Sequence, residues 1–369
     1  MHVPTHPVRE PQRARFADGL RPLRAIPFNG SAFHTLATDL RLWFLSTWLD
    51  WLFLILAGAA AAAVWVIPHT HNRLFPVTYF DGSGDVVWPE IAFPYVEPIF
   101  DSTAAGILCA AIPILSMLIA QIWIRSFLDF ANGCLGLVYA LVTGTLFQVV
   151  LKKVIGGLRP HFLAVCEPVL PPRDGSSGVG FQGLMFTVDQ VCTGDKDKIA
   201  NAIESFPSGH SNIAWAGMGY LAIYLWAHLG IRSVSMRRPS FWRMLMVIAP
   251  MWFATYICSS VALGYHHHGY DVIFGSLIGM VMAVFGYRMV FASVLDRRWN
   301  TVPLVRGQRG QIDDEEQQIR GADGTTDDNT RRGARKIRDS EDTYPTRSRS
   351  RSLLRGIRED MPAGNPQPQ

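Results

Sequence analysis

The chain has 369 residues, of which 49% are hydrophobic, and its formal net charge is only +4. So small a net charge gives no indication of a nucleic-acid partner. The apolar residues are gathered in long blocks, which argues against an ordinary soluble helical protein.

Six windows approach the roughly 20 apolar residues that cross a bilayer. They are residues 51–67, 103–124, 130–151, 211–231, 244–263 and 272–295. Two of them, 103–124 and 244–263, contain no charged residue at all. Helices of soluble proteins seldom lack a polar face. The sequence therefore predicts an all-α fold, a bundle of six transmembrane helices with an extramembrane catalytic face.

Composition divides the chain into three parts. Residues 1–45 are polar and rich in Arg, without the short apolar core of a cleavable signal peptide, and we interpret them as a basic cytosolic segment. Residues 46–295 form the predicted six-helix membrane domain. Residues 296–369 are polar and mixed in charge, which predicts a disordered cytosolic tail.

The placement of Lys and Arg predicts the orientation. Basic residues are concentrated before the first helix and in the links after the second and fourth helices, which places both termini in the cytosol by the positive-inside rule. Loops 68–102, 152–207 and 264–270 then face the lumen or the cell exterior, of an endomembrane (vacuole, ER or Golgi) or of the plasma membrane. Cys166 and Cys192 lie on that side and are either bridged or two free thiols.

The stretch Pro207-Ser208-Gly209-His210 stands where a long polar loop meets an apolar run. Ser208 is a good N-cap, Gly209 allows close approach of the backbone to a ligand, and His210 would lie at the positive end of a helix dipole. Such a corner favours an anion. The alternative is an ordinary cap beside a surface histidine.

Two cations precede a second corner. Lys152 and Arg159 are seven residues apart, close to two helical turns, so both can project from one face before Pro160 stops the helix. A planar guanidinium and a compact ammonium together suit a phosphate. The alternative is that both side chains extend to the membrane surface.

The third loop contains His266-His267-His268, followed by Asp271. If a helix begins here, Asp271 can hold one ring nitrogen of His267 and leave the other nucleophilic. A metal site is less favoured, because adjacent histidines diverge and no Asp, Glu or Cys completes a ligand shell in this loop. We interpret His266 and His268 as interface residues.

The predicted topology brings all these groups to one face of the bilayer, and their order resembles the three-part signature of the type 2 phosphatidic acid phosphatases, the lipid phosphate phosphatases. The resemblance covers roughly residues 40 to 295. Arg73, Phe75-Pro76 and Phe93-Pro94-Tyr95 also resemble the fungal diacylglycerol pyrophosphate phosphatase branch.

The resemblance implies roles for individual residues. His267 would attack phosphorus, Asp271 would orient it, and His210 would protonate the leaving oxygen and later activate water. The phosphate would be held at the remaining signature positions, Lys152, Arg159, Pro160, Ser208 and Gly209. It implies no metal and no other cofactor.

One departure from the family pattern lies in the third motif, which normally begins Ser-Arg but here reads Ser260-Val261. A phosphate-binding arginine is missing, and losing one such donor costs on the order of 10² to 10³ in rate.

Two functions follow: a metal-independent hydrolase of phosphatidate, lysophosphatidate or diacylglycerol pyrophosphate, or a weakened or inactive member that binds phosphorylated lipid. Transfer of the phosphate to another acceptor, the preferred lipid and the formation of a homodimer stay open.

Overall fold

The computed structural model describes residues 32–67, 73–76, 88–169, 178–180, 183, 185–230 and 240–304, with the backbone alone at 32–38. Most of the predicted cytosolic N-terminal segment and of the predicted tail lies outside these residues. So do most of the basic residues of the link after the fourth predicted helix.

The described residues are mostly helical. The helices are α1 (Ala32–Val66), α2 (Ser102–Ile124), α3 (Phe127–Val154), α4 (Phe162–Cys166), α5 (Val188–Val191), α6 (Lys196–Ala202), α7 (Gly209–His228), α8 (Phe241–Leu263) and α9 (Gly269–Val290). Two short strands, β1 (Phe75–Pro76) and β2 (Met185–Phe186), pair antiparallel, with Phe75 opposite Phe186.

Five of the described helices are long and apolar enough to cross a membrane: α1 (over Asp39–Val66), α2, α3, α8 and α9. The predicted fourth span corresponds to α7, which is not among them, so the predicted count of six is not confirmed. The physical reason lies in the position of α7, which packs against α2, α3, α8 and α9. A helix enclosed by other helices needs no continuous apolar surface, and α7 contains Gly, Ser, Asn, His and Tyr.

α1 begins well before the window that predicted it. The apolar window starts only after Asp50, because charged residues lie before it at Asp39, Arg41 and Asp50. Charged side chains are compatible with helical geometry, so α1 extends through these positions. At the other end of the domain, α9 stops at Val290, five residues before its predicted end. Phe291 is extended there and forms a bridge with Pro303, so residues 291–304 fold back on the bundle.

Small residues let α9 approach α7 closely. A side chain at Gly275 would collide with the carbonyl of Ser208, and one at Gly279 with the carbonyl of Asn212. Close backbone approach of this kind is typical of helices packed in membranes. It fixes the start of α9 against the start of α7, where the candidate site lies.

The long loop between α3 and α7 is folded into a layer over this end of the bundle. Short helices α4, α5 and α6 enclose a second apolar core that includes Phe75, Phe162 and Ile199. Cys166 and Cys192 form a disulfide within this layer, so the bridged alternative is the one observed.

Candidate active site

The segment after α3 is held against the segment before α7 by backbone hydrogen bonds. The amide of Gly157 donates to the carbonyl of Ile203 at 2.9 Å, the amide of Ser205 to that of Gly157 at 2.9 Å, and the amide of Arg159 to that of Ala202 at 2.8 Å. Gly157 has a φ of +139°, which favours glycine at this position. The first and second motifs are thereby fixed to each other.

The second motif is held in turn by the third. The amide of Ser208 donates to the carbonyl of Asp271 at 3.1 Å. Ser208 is the N-cap of α7, as its sequence position predicts, and its hydroxyl oxygen accepts from the hydroxyl of Ser211 at 3.0 Å. Because α7 and α9 both begin here, the positive ends of two helix dipoles face the same region.

Both predicted cations are buried. Lys152 is 5% exposed and Arg159 is 7% exposed, so neither extends to the membrane surface. Lys152 Nζ lies 3.8 Å from Glu204 Oε2, and Arg159 Nη2 donates to Asn201 Oδ1 at 2.6 Å. Two buried cations in this position favour an anionic ligand.

His267 and Asp271 meet as predicted from their spacing, although His267 precedes the helix and does not belong to it. His267 Nδ1 lies 3.7 Å from Asp271 Oδ2, somewhat longer than a hydrogen bond. Asp271 Oδ2 is fixed by two other donors, the hydroxyl of Ser205 at 2.5 Å and the amide of His268 at 3.0 Å. Catalytic hydrogen bonds are often long before substrate binds.

The electrostatic environment keeps His267 neutral. Burial lowers the pKa of His267 to about 3, and the charges of Arg159 and Lys152 act in the same direction, against the opposing effect of Asp271. Burial also lowers the pKa of Arg159, to about 10, so its guanidinium stays protonated at neutral pH. A neutral imidazole is thus held beside the permanent cation of Arg159, and a neutral imidazole is the state that a histidine nucleophile requires.

His210 is in the first turn of α7, half-buried. Its Nε2 donates to the carbonyl of Phe100 at 3.1 Å, which leaves Nδ1 for a ligand. Gly209 precedes it and packs against Gln148, whose Nε2 donates to the carbonyl of Pro207 at 3.4 Å. The carbonyl of Pro160 accepts from the amide of Phe93 at 3.0 Å, so Pro160 joins the first outer loop to the site.

Several residues of the site were not assigned from the sequence. Glu204 and Asn201 hold the cations, Ser205 holds Asp271, and His161 donates from Nδ1 to the carbonyl of Tyr265 at 2.8 Å. His161 directly follows Arg159-Pro160, and Ser205 stands two residues before Pro207. Proximity to a motif was the available signal for both.

Aromatic residues of the first outer loop cover the site. Phe93 stacks on Tyr265 with ring centroids 4.6 Å apart, and Tyr95 meets the ring of His161 edge to face at 5.2 Å. His266 lies beside His161 at 5.0 Å, and His268 stacks on Tyr270 at 5.0 Å. Both histidines thus pack against other rings of the chain, and their interpretation as interface residues stays a prediction.

Val261 is buried, with 1% exposure, and its carbonyl accepts from the amide of His266 at 3.0 Å. Val261 is therefore joined by its backbone to the loop of the three histidines, and its side chain offers no hydrogen-bond donor. Among the described residues, no group of three or more His, Cys, Asp or Glu side chains is arranged to hold a metal ion.

Unpartnered polar atoms are concentrated at this place. Of the ten buried side-chain atoms without a hydrogen bond in the described part of the chain, five belong to the site. They are Arg159 Nε, His266 Nε2, His267 Nδ1, His268 Nδ1 and Asp271 Oδ1. Buried polar groups are normally paired. His267 Nδ1 and His268 Nδ1 face Asp271 Oδ2 at 3.7 and 3.5 Å, slightly beyond hydrogen-bond length. The other three atoms are without a hydrogen-bond partner among the described residues.

Comparison with known proteins agrees with this geometry. The profile of the PAP2 superfamily matches residues 133–295, which include all three motifs. A probable lipid phosphate phosphatase 4 of Arabidopsis thaliana is 30% identical over 243 residues, 66% of this chain and 72% of that protein.

Two fungal relatives match shorter stretches. Diacylglycerol pyrophosphate phosphatase 1 of Saccharomyces cerevisiae is 36% identical over 166 residues, 45% of this chain and 54% of that protein. A probable diacylglycerol pyrophosphate phosphatase 1 of Schizosaccharomyces pombe is 30% identical over 187 residues, 50% of this chain and 63% of that protein. No solved structure matches the chain. The chain belongs to the PAP2 superfamily, as a multi-pass membrane phosphatase.

Proposed function

We propose that this protein hydrolyses lipid phosphates through a phosphohistidine at His267, with phosphatidate, lysophosphatidate and diacylglycerol pyrophosphate as its substrate class. The observation that carries the proposal is that His267 is buried beside Asp271 and within the electrostatic influence of two buried cations, Lys152 and Arg159. The names of the relatives, lipid phosphate and diacylglycerol pyrophosphate phosphatases, support the substrate class.

In the first step, His267 attacks phosphorus. Its Nδ1 faces Asp271, so Nε2 forms the bond to phosphorus while the bond to the lipid oxygen breaks. His210 enters this step as an imidazolium, with its Nε2–H on the carbonyl of Phe100, and its Nδ1–H passes to the lipid oxygen. Lys152, Arg159 and the amides at the start of α7 stabilise the charge on the three equatorial oxygens.

In the second step, water takes the place of the departed lipid. His210, now neutral, accepts a proton from the water at Nδ1 as the water oxygen bonds to phosphorus, and the bond from His267 Nε2 to phosphorus breaks. The products are inorganic phosphate and the resting imidazole of His267. The permanent cations of the chain supply the charge stabilisation in both steps.

The orientation is part of the proposal, with both termini cytosolic and the site on the luminal or extracellular side. The disulfide between Cys166 and Cys192 supports it, since disulfides persist in oxidising compartments. The layer that contains the bridge covers the same end of the bundle as the site.

The experiment measures phosphate release by the purified protein in detergent, with a chelator present, from the three lipids named above. We expect release from at least one of them at a rate that the chelator leaves unchanged. Absence of release from all three, by protein that elutes as a single folded species, would contradict the proposal.

A second function, binding of a phosphorylated lipid without turnover, is favoured by one observation, the buried apolar Val261 whose carbonyl accepts from the amide of His266. The discriminating variants are Val261→Arg and, as a control of similar length without charge, Val261→Met. If hydrolysis is the function, the wild type releases phosphate, and Val261→Arg raises the rate by up to about 10². Release by Val261→Arg alone would establish the binding function.

A further inference from the structure

We propose that a groove between α8 and α9 binds one acyl chain of the lipid substrate. The groove has a volume of about 570 Å³ and is lined by Ser259 and Ala262 of α8, Ile273, Leu277 and Met280 of α9, and Trp215 of α7. This inference rests on the proposed function, because it concerns the same substrate at a second place.

The groove exists because α8 and α9 are consecutive helices that contact each other at few positions. Each packs on α7, but the face of α8 toward α9 carries Thr255, Ser259 and Ala262, at the spacing of one helix face. Side chains this small do not fill the space between two helices. Cys258 Sγ and Ser276 Oγ approach to 3.6 Å at the floor of the groove.

The position of the groove connects it to the chemistry. Its upper end is at Gly269, two residues after His267, and at Ala262, next to Val261. Its lower end is at Met280, eleven residues farther along α9, a distance of roughly 16 Å at 1.5 Å per residue. That is about half of the roughly 30 Å hydrocarbon core, the depth of one leaflet.

The groove contains hydroxyl groups, but the hydrogen-bond donors of two of them are already used within the protein. The hydroxyl of Thr255 donates to the carbonyl of Met251 at 2.9 Å, and that of Ser276 to the carbonyl of Val272 at 2.7 Å. Both donors are used within their own helices, so a polar ligand would find few partners here. A hydrocarbon chain loses nothing by this and gains apolar contact.

The groove opens sideways from the bundle. Thr255, Ser259, Ile273 and Leu277 are exposed in the isolated protein, on two helices that are long and apolar enough to cross a membrane. A chain can therefore enter from the surrounding lipid while the phosphate stays at the upper end, beside His267. The occupant that fits this geometry is a single acyl chain lying parallel to α8 and α9.

The test places a large side chain at two depths. Ser259→Phe blocks the groove three residues below Ala262, about 4.5 Å, and Thr255→Phe blocks it seven residues below, about 10 Å. Ala60→Phe, at an exposed position of α1, is the matched control. The measurement is kcat/KM for phosphatidates with acyl chains of increasing length, from dibutyryl to dioleoyl, in detergent.

For the wild type and for Ala60→Phe we expect kcat/KM to rise with chain length. In Thr255→Phe the rise should stop at an intermediate length, and in Ser259→Phe at a shorter one. The loss on dioleoyl phosphatidate should be about tenfold or more, the effect of withdrawing two or more methylene groups from apolar contact, with dibutyryl phosphatidate unaffected. Unchanged length profiles in both blocked variants, or equal losses at every length, would overturn the inference.

Failure of the proposed function gives a different result, namely no hydrolysis by the wild type at any chain length. The same variants are then compared for thermal stabilisation by unhydrolysed dioleoyl phosphatidate. The groove predicts stabilisation of the wild type and of Ala60→Phe that is reduced in Thr255→Phe and more so in Ser259→Phe. Equal stabilisation of all four proteins would overturn it.

Discussion

The two ends of the bundle each contain a buried pair of histidine and aspartate, and the two pairs differ in how fully they are bonded. At one end His228 Nε2 lies 2.7 Å from Asp129 Oδ2, and His228 Nδ1 donates to the carbonyl of Tyr224 at 2.9 Å. Asp129 Oδ1 also accepts from the hydroxyl of Tyr224 at 2.6 Å and from Gln121 at 3.1 Å. Every polar atom of this pair has a partner.

At the other end His267 and Asp271 are 3.7 Å apart, and each keeps an unpartnered atom, Nδ1 of the histidine and Oδ1 of the carboxylate. Such incompleteness costs stability and is typical of functional sites. The Asp129 pair joins α2, α3 and α7, whereas the Asp271 pair is the one to which the proposed mechanism assigns the chemistry. Residue type alone does not distinguish them.

The largest expected effect is the opposite response of kcat and thermal stability when each of the two histidines is replaced. His267→Ala should lower kcat by about 10⁴ or more, as removal of a nucleophile does, with little change in thermal stability. His228→Ala should do the reverse, lowering stability by about 1–3 kcal/mol because Asp129 loses a buried partner, while folded protein keeps its kcat. Phosphate release and thermal unfolding of both variants are the measurements. Undiminished kcat in His267→Ala would refute the assignment.

Replacement of the two aspartates should likewise affect kcat at one end of the bundle only, with a smaller loss than for the histidines. Asp271→Asn should lower kcat by about 10³, since the orienting charge is lost while the shape is kept. Asp129→Asn keeps the shape of the other pair and should leave kcat within a factor of about two, by the additivity of distant sites. Equal losses of kcat in the two variants would show that the distinction between the ends is wrong.

Ser205 tests the role of Asp271 indirectly. Its hydroxyl donates to Asp271 Oδ2, and in the proposed mechanism it does not contact the phosphate. Ser205→Ala should lower kcat by about tenfold, the value of one hydrogen bond to a charged group, and leave KM unchanged. Ser205→Thr keeps the hydroxyl and should recover most of the rate. A rise in KM at constant kcat would indicate a substrate-binding role instead.

The smallest effect concerns stability and pH. Burial lowers the pKa of His161 to about 4 and that of His267 to about 3, both below the usual 6.5 of imidazole. As pH falls below 6.5 the unfolded chain binds protons that the folded chain accepts only near pH 4 and 3, so stability is lost with acidification. Each histidine contributes at most about 1.4 kcal/mol per pH unit in that window.

Thermal unfolding at pH 7 and pH 5 measures this loss. His161→Gln removes one of the two groups, and its unfolding temperature should fall less between the two pH values than that of the wild type. A variant with the same or a steeper decline would contradict the assignment of His161 as a buried neutral histidine.

The sequence predicted the parts of this molecule that depend on local chemistry. Apolar windows located five of the long helices that can cross a membrane, and the cap at Ser208 lies where its residue type indicates. The spacing of His267 and Asp271 predicted their encounter. Periodicity and capping act within a few residues, which is why they can be read from the chain.

The parts that were not predicted depend on long-range pairing. Glu204 reaches Lys152 and Lys153, and Ser205 reaches Asp271 across 66 positions of the chain. The apolar window 211–231 located α7, but the central position of this helix follows from its neighbours and lowers its need for apolar residues, so its place among the membrane spans is not confirmed. The disulfide between Cys166 and Cys192 depended likewise on folding of the loop around it.

The most direct test of the account is identification of the phosphorylated residue. Protein incubated with diacylglycerol pyrophosphate labelled at its terminal phosphate is quenched in alkali, where phosphohistidine survives, and digested for mass spectrometry. If His267 is the nucleophile, the label lies on His267, is absent in His267→Ala and persists in His228→Ala. Turnover without label, or label on His210, His228 or His266, would contradict it.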